Sequence, residues 1–155
     1  MTTGNSELDG FIAEYTPEIA ALTYALFDRL QARIPGATVM GYNYYTALAI
    51  GWAPDDQTSH GVLSLALYPR WVNLCLLHGI DLPDPHKILA GAGNQLRTIR
   101  MTNEDMLDDP RVDAVIDAAL ERSEPPIDPN GVSRVIIKGV SPAQRSRRPK
   151  QLRLR

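Results

Sequence analysis

Two apolar runs, Val62 to Tyr68 and Trp71 to Leu77, stand either side of Pro69-Arg70, and no other feature constrains the fold of this chain as tightly. A nearly continuous apolar run of this length, bounded by turn residues, reads as a strand covered on at least one face. A connection this short joins only antiparallel neighbours, so the pair predicts a hairpin near the middle of a sheet. A hairpin alone is marginal in water, so further strands and a covering layer must come from the rest of the 155 residues.

The covering layer is legible as helices. Thr16-Pro17-Glu18 combines a capping hydroxyl, a proline suited to the first helical position and an acid at the positive dipole end. Ile19, Leu22, Leu26, Leu30 and Ile34 then recur at helical spacing until Pro35-Gly36. Pro110 opens a second helix with Val112, Val115, Ile116, Ala119 and Leu120 on its apolar side. Thr38 to Ile50, rich in tyrosine and β-branched residues and broken by Gly41 and Asn43, reads as strand, and so does Gln95 to Met101. Asp84-Pro85 is expected to cap a short helix from His86 to Ala90, closed by Gly91. The prediction is an α+β sandwich over residues 1–124, an antiparallel sheet with helices packed on one face. Pro125-Pro126 and Asp128-Pro129 mark a linker within residues 125–155, with an added strand over 133–140 and a tail from Ser141 that reads as disordered, or else folds back on the acidic domain as its nearest counter-charge.

Charge divides the chain more sharply than its net of -2 suggests. Residues 1–133 carry all 18 acids and eight of the 16 basic residues; residues 134–155 carry the other eight basic residues and no acid. No apolar run approaches the ~20 residues of a membrane span, and the polar start MTTGNSELDG has no secretory pattern, so a cytoplasmic protein is expected. Cys75, a lone cysteine inside the second apolar run, reads as a buried strand thiol rather than a nucleophile.

The segments Phe11-Ile12-Ala13, Tyr15, Pro17-Glu18-Ile19, Tyr68-Pro69-Arg70-Trp71-Val72-Asn73-Leu74, Gly79, Leu82-Pro83-Asp84-Pro85, Leu89, Gly91, Gly93 and Arg97 together resemble the YdhG-like domain family. The resemblance covers roughly residues 8–122 and leaves the basic tail aside. It implies a small α/β sandwich and, through members compared with frataxin-like iron chaperones, an iron-binding carrier as one expectation. It brings no catalytic motif.

Three groups of residues point to binding chemistry. Lys87, Arg97 and Arg100 beside Gly91-Ala92-Gly93 suggest an anion site of side-chain cations and backbone amides, with Arg97 and Arg100 on opposite strand faces. The Gly-x-Gly lacks the third glycine of a dinucleotide fingerprint and the Lys-Ser/Thr of a phosphate loop. Tyr42, Tyr44, Tyr45, Trp52, Tyr68 and Trp71, with Arg70 nearby, offer rings to a planar ligand. Asp105, Asp109, Asp113 and Asp117 recur at helical spacing; Asp113 and Asp117 are the pair expected to ligate iron in the carrier reading. His60, His78 and His86 lack metal-ligand spacing.

The ligand-binding residues expected are therefore Tyr44, Tyr68, Trp71, Lys87, Gly91, Gly93, Arg97 and Arg100. They belong to a small binding module for an anionic or aromatic ligand or a protein partner, its cofactor unidentified. Two alternatives stand beside it: the iron carrier, and a nucleic-acid-associated protein acting through Gln144 to Arg155.

Overall fold

The hairpin predicted from the two apolar runs lies inside a six-stranded sheet. The structure is a computed structural model that describes residues 1–150. In chain order its elements are α1 (Ser6–Ile12), α2 (Pro17–Arg33), β1 (Thr38–Asn43), β2 (Leu48–Ala53), β3 (Leu63–Leu67), β4 (Val72–Leu76), β5 (Arg97–Met101), α3 (Pro110–Glu121) and β6 (Arg134–Val140). The strands lie in the order β5-β4-β3-β2-β1-β6, antiparallel from β5 to β1, with β6 added parallel to β1. No helix among the described residues is long and apolar enough to cross a membrane.

Alternation along the hairpin sorts its side chains by face. Leu63, Leu65 and Leu67 of β3 oppose Leu76, Leu74 and Val72 of β4, and all six are fully buried in the common core with residues of the three helices. Ser64 opposite Cys75 and Ala66 opposite Asn73 project to the other face. The core face continues through Val39, Leu48, Ile50, Trp52, Ile99 and Met101. Each large aliphatic buried this way contributes about 1.5–3 kcal/mol.

The helices begin where their capping residues dictate. The Thr16 side chain accepts from the Ile19 N–H, and the Asp109 carboxylate accepts from the Arg111 N–H. Helix α1, absent from the sequence reading, is only seven residues long and buries Leu8 and Ile12. Its Asn5 cap accepts from the Leu8 N–H and donates its amide to the Val135 carbonyl, which ties the first helix to the last strand. Gly36, with φ +82, ends α2, and a Cβ there would stand 1.9 Å from the Asp128 carbonyl oxygen. Only glycine lets the two chains approach so closely.

Two expectations are corrected. No helix forms over His86 to Ala90: Lys87 turns into the left-handed region at φ 54, and the Asp84 carboxylate takes the Ile88 and Leu89 N–H groups. Capping without propagation leaves a closed loop, whose Ala90 pairs with Thr98 beside β5. The expected disorder from Ser141 does not hold for residues 141–150, which lie against the domain; residues 151–155 fall outside the described residues.

Tyr15 joins these parts. Its hydroxyl donates to the Leu67 carbonyl at 2.9 Å and accepts from the Leu48 N–H at 3.1 Å, bridging β3 and β2 at a buried point. Tyr15→Phe should cost about 1–3 kcal/mol in urea denaturation, because both backbone groups lose their partner away from water.

Asp9 supplies a pH dependence. Burial acts to raise its pKa, but hydrogen bonds from the Thr3 N–H and from the Thr2 and Tyr24 hydroxyls outweigh it and hold the carboxyl below its ordinary value. Burial and the same bond push Tyr24 up to about 12. A depressed carboxyl stabilises the fold above its unfolded value of about 3.9, and the contribution is lost as pH falls through the folded value. Asp9→Asn should therefore lower the melting temperature at pH 7 and flatten its fall between pH 5 and 3, read by thermal melts across that range.

Candidate ligand-binding site

Three segments meet at the end of the sheet where β3 turns into β4: the β1–β2 turn from Tyr44 to Ala47, the hairpin turn from Tyr68 to Trp71, and the chain after β6. Strand alternation sends Tyr42, Tyr44, Tyr68 and Trp71 to the face opposite the helices. Tyr42 and Tyr44 stack at 5.5 Å and 14°, and Tyr68 and Trp71 tilt together at 5.6 Å. Burial raises the Tyr44 and Tyr68 pKa values, so both phenols stay neutral donors near neutral pH. The Arg100 guanidinium lies 4.3 Å over the Trp71 ring, a cation–π contact that holds both groups in place.

The tail completes this end. The Ser141 N–H donates to the Asn43 carbonyl and the Arg145 N–H to the Tyr45 carbonyl, both as backbone bonds. Arg147 then turns inward and is 5 % exposed. Its guanidinium donates to Asn43 Oδ1 at 2.8 Å, the Tyr44 carbonyl at 2.6 Å and the Tyr45 carbonyl at 3.3 Å, and lies 5.6 Å from the Tyr15 ring. No carboxylate pairs with it among the described residues. A charge taken from water and met by fixed dipoles is held by geometry, not by ion pairing.

With Arg147 seated, Arg145, Ser146, Arg148, Pro149 and Lys150 stand beside the hairpin turn. Arg145 and Ser146 close a hollow of about 470 Å³ against Thr46, Tyr68, Arg70 and Trp71; a second hollow shares Pro69, Arg70, Arg145 and Ser146 and is lined in addition by Tyr45, Arg148, Pro149 and Lys150. Neither is lined by a carboxylate. The combination of apolar rings and convergent cations suits a planar ligand that carries negative charge.

The expected site residues fall into separate places. Tyr44, Tyr68, Trp71 and Arg100 belong to this end of the sheet. Lys87, Gly91, Gly93 and Arg97 belong to the other end of β4 and β5, because Arg97 pairs with Leu76 while Met101 pairs with Val72. Arg97 donates to the Gly93 and Leu96 carbonyls, so its guanidinium closes the loop that the glycines open. Asp113 and Asp117 both pair with Arg33, and Asp105 and Asp108 with Arg29. These acids fasten α3 and the preceding turn to α2, and no group of three metal-ligating side chains suited to an ion occurs among the described residues. Trp52 lies in the core with Nε1 donating to Gln31, and burial pushes the Cys75 thiol up in pKa.

The β2–β3 loop forms one pair that the sequence reading did not single out. His60 Nδ1 lies 2.8 Å from Asp55, and His60, His78, Asp81, Ser59 and Ser123 line a cleft of about 240 Å³ at the opposite end of β3 and β4. Burial would raise the Asp55 pKa, but the Gln57 N–H and His60 outweigh it and lower it. A carboxylate-held imidazole is a general-base arrangement, yet neither serine hydrogen-bonds to it among the described residues. The signal available in sequence was Asp55 and His60 sharing one polar loop. Compared with protein-family models, curated proteins and solved structures, the chain matches none of them.

Arg147 supplies the test of this geometry. Arg147→Ala should cost about 1–3 kcal/mol and free the tail, seen as rapid proteolytic cleavage within residues 141–150 while the domain keeps its circular dichroism.

Proposed function

We propose that this chain is a small binding module that holds a planar, negatively charged ligand in the hollow between the β3–β4 turn and the C-terminal segment. One contrast carries the reading. Arg29, Arg33, Arg111 and Arg134 each pair with an aspartate, whereas Arg70, Arg100, Arg145, Arg148 and Lys150 have no ion-pair partner among the described residues. These five lie beside Tyr45, Tyr68 and Trp71 in a chain that has more acids than bases, while Lys87, Arg97, Arg122 and Lys138, also without an ion pair among the described residues, lie elsewhere. Cations left beside aromatic surface by an acidic protein favour an anionic aromatic guest. The resemblance to YdhG-like domains accompanies this reading as a proposed kinship, and a cytoplasmic setting goes with it; neither supplies the chemistry.

Trp71 gives the experiment its signal. Trp52 is fully buried, so quenching of tryptophan emission by an added ligand reports Trp71. Adenosine and guanosine monophosphate should quench it and raise the melting temperature, while inorganic phosphate and uncharged adenosine, each supplying half of the chemistry, should do so more weakly. The double variant Arg70→Ser, Arg145→Ser should weaken mononucleotide binding by about tenfold or more, since charge-assisted bonds contribute roughly 1.5–3 kcal/mol each. Absence of quenching and of any thermal shift with all four compounds would refute the reading.

A further inference from the structure

The hollow opens onto a sheet face with an ordered row of side chains. Tyr42, Ala49, Ala66, Asn73 and Arg100 are cross-strand partners in succession, one from each of β1 to β5. The row behind it, Met40, Gly51, Ser64, Cys75 and Thr98, is buried except at Thr98, and the Tyr42 hydroxyl meets Thr58 of the β2–β3 loop, so the open part of the face is the first row. All three helices contribute to the core on the other face. At strand spacings of about 4.8 Å, Tyr42 and Arg100 stand roughly 19 Å apart across a floor of alanines. A mononucleotide does not fill that length.

We propose that this face binds single-stranded nucleic acid, laid across the strands between the Tyr42–Tyr44 pair and the Trp71–Arg100 pair. The proposal rests on the reading of the hollow and extends its ligand from one nucleotide to a strand. Two aromatic stations at the ends of a flat floor of small side chains are what base stacking needs, since every base has a ring face to offer. Tyr44 is 45 % exposed and stacks on Tyr42, so its outer surface is open to a base. Arg100 lies over Trp71 and makes no hydrogen bond or ion pair among the described residues, which leaves its N–H groups for a phosphate. The chain of unpaired cations then runs on through Arg70, Arg145, Arg148 and Lys150, a track for the backbone beyond the face. Asn73 is the one amide in the row and offers little base readout, so recognition is tolerant of sequence.

The length dependence of binding tests this. Trp71 quenching and anisotropy with labelled oligothymidylates of one, four, eight and twelve nucleotides should show affinity rising at least tenfold from one to eight. The affinity of the eight-nucleotide strand should fall with salt at a log–log slope of about −2 to −3.5, as for roughly three to five phosphate contacts. Tyr44→Ala should weaken the eight-nucleotide strand about fivefold or more, and by a clearly larger factor than it weakens thymidine monophosphate. Arg100→Gln should reduce the salt slope by about 0.7. Equal affinity for one and eight nucleotides would overturn the strand proposal and leave the hollow intact. Equal binding of duplex DNA or of polyglutamate in place of the single strand would also overturn it, as charge without stacking. Failure of mononucleotide and strand alike would remove the hollow as well.

Discussion

The hydroxyl of Tyr15 is the point on which the candidate site depends. It lies between α1 and α2, reaches the backbone of β2 and β3, and presents its ring to Arg147. One side chain thus fixes the helical layer against the sheet and forms part of the socket for the C-terminal segment. Burial raises its pKa, which keeps it a neutral phenol able to donate and accept at once. Arg147 in that socket, with the backbone bonds of Ser141 and Arg145, brings the cations of the tail to the site.

Arginine serves two unlike purposes in this molecule. On α2, Arg29 and Arg33 lie one helical turn apart and clamp four aspartates, so that two segments with many acids act as a brace. These pairs are largely exposed, and their value is in alignment more than in energy. At the far end of the chain, Arg147 is desolvated onto neutral oxygens, and its neighbours form no ion pair among the described residues, Arg148 donating instead to the Glu14 carbonyl. The excess of negative charge in residues 1–133 does not draw the tail into a carboxylate cluster. Backbone carbonyls of the β1–β2 turn hold it instead.

Much of the fold was legible because its signals are local. Thr16-Pro17 and Asp109-Pro110 announce their helices through capping and a fixed φ, and the hairpin follows from two apolar runs and a short turn. The loop after Asp84 was misread because a carboxylate that can cap a helix can equally close a turn, and only the backbone at Lys87 distinguishes them. Helix α1 escaped because seven residues with two buried positions give too little periodicity. For the site, residue types were visible and partnerships were not. Tyr44, Tyr68, Trp71 and Arg100 were singled out as rings and charge, but their adjacency is set by strand register. Arg147 looked like any other residue of a basic tail, since nothing local marks the one arginine that is buried among the described residues.

The parallel strand β6 changes what the sheet can do with other chains. It covers the edge of β1 with a register shift between Gly41 and Tyr42, and Lys138 lies along its exposed length. At the opposite edge, the bridge between Ala90 and Thr98 sets irregular chain beside β5. Irregular chain beside β5 and the lysine on β6 both work against strand addition at the margins, which helps to guard an otherwise apolar sheet against open-ended self-association. A visitor to this molecule is met by its face and not by its rim.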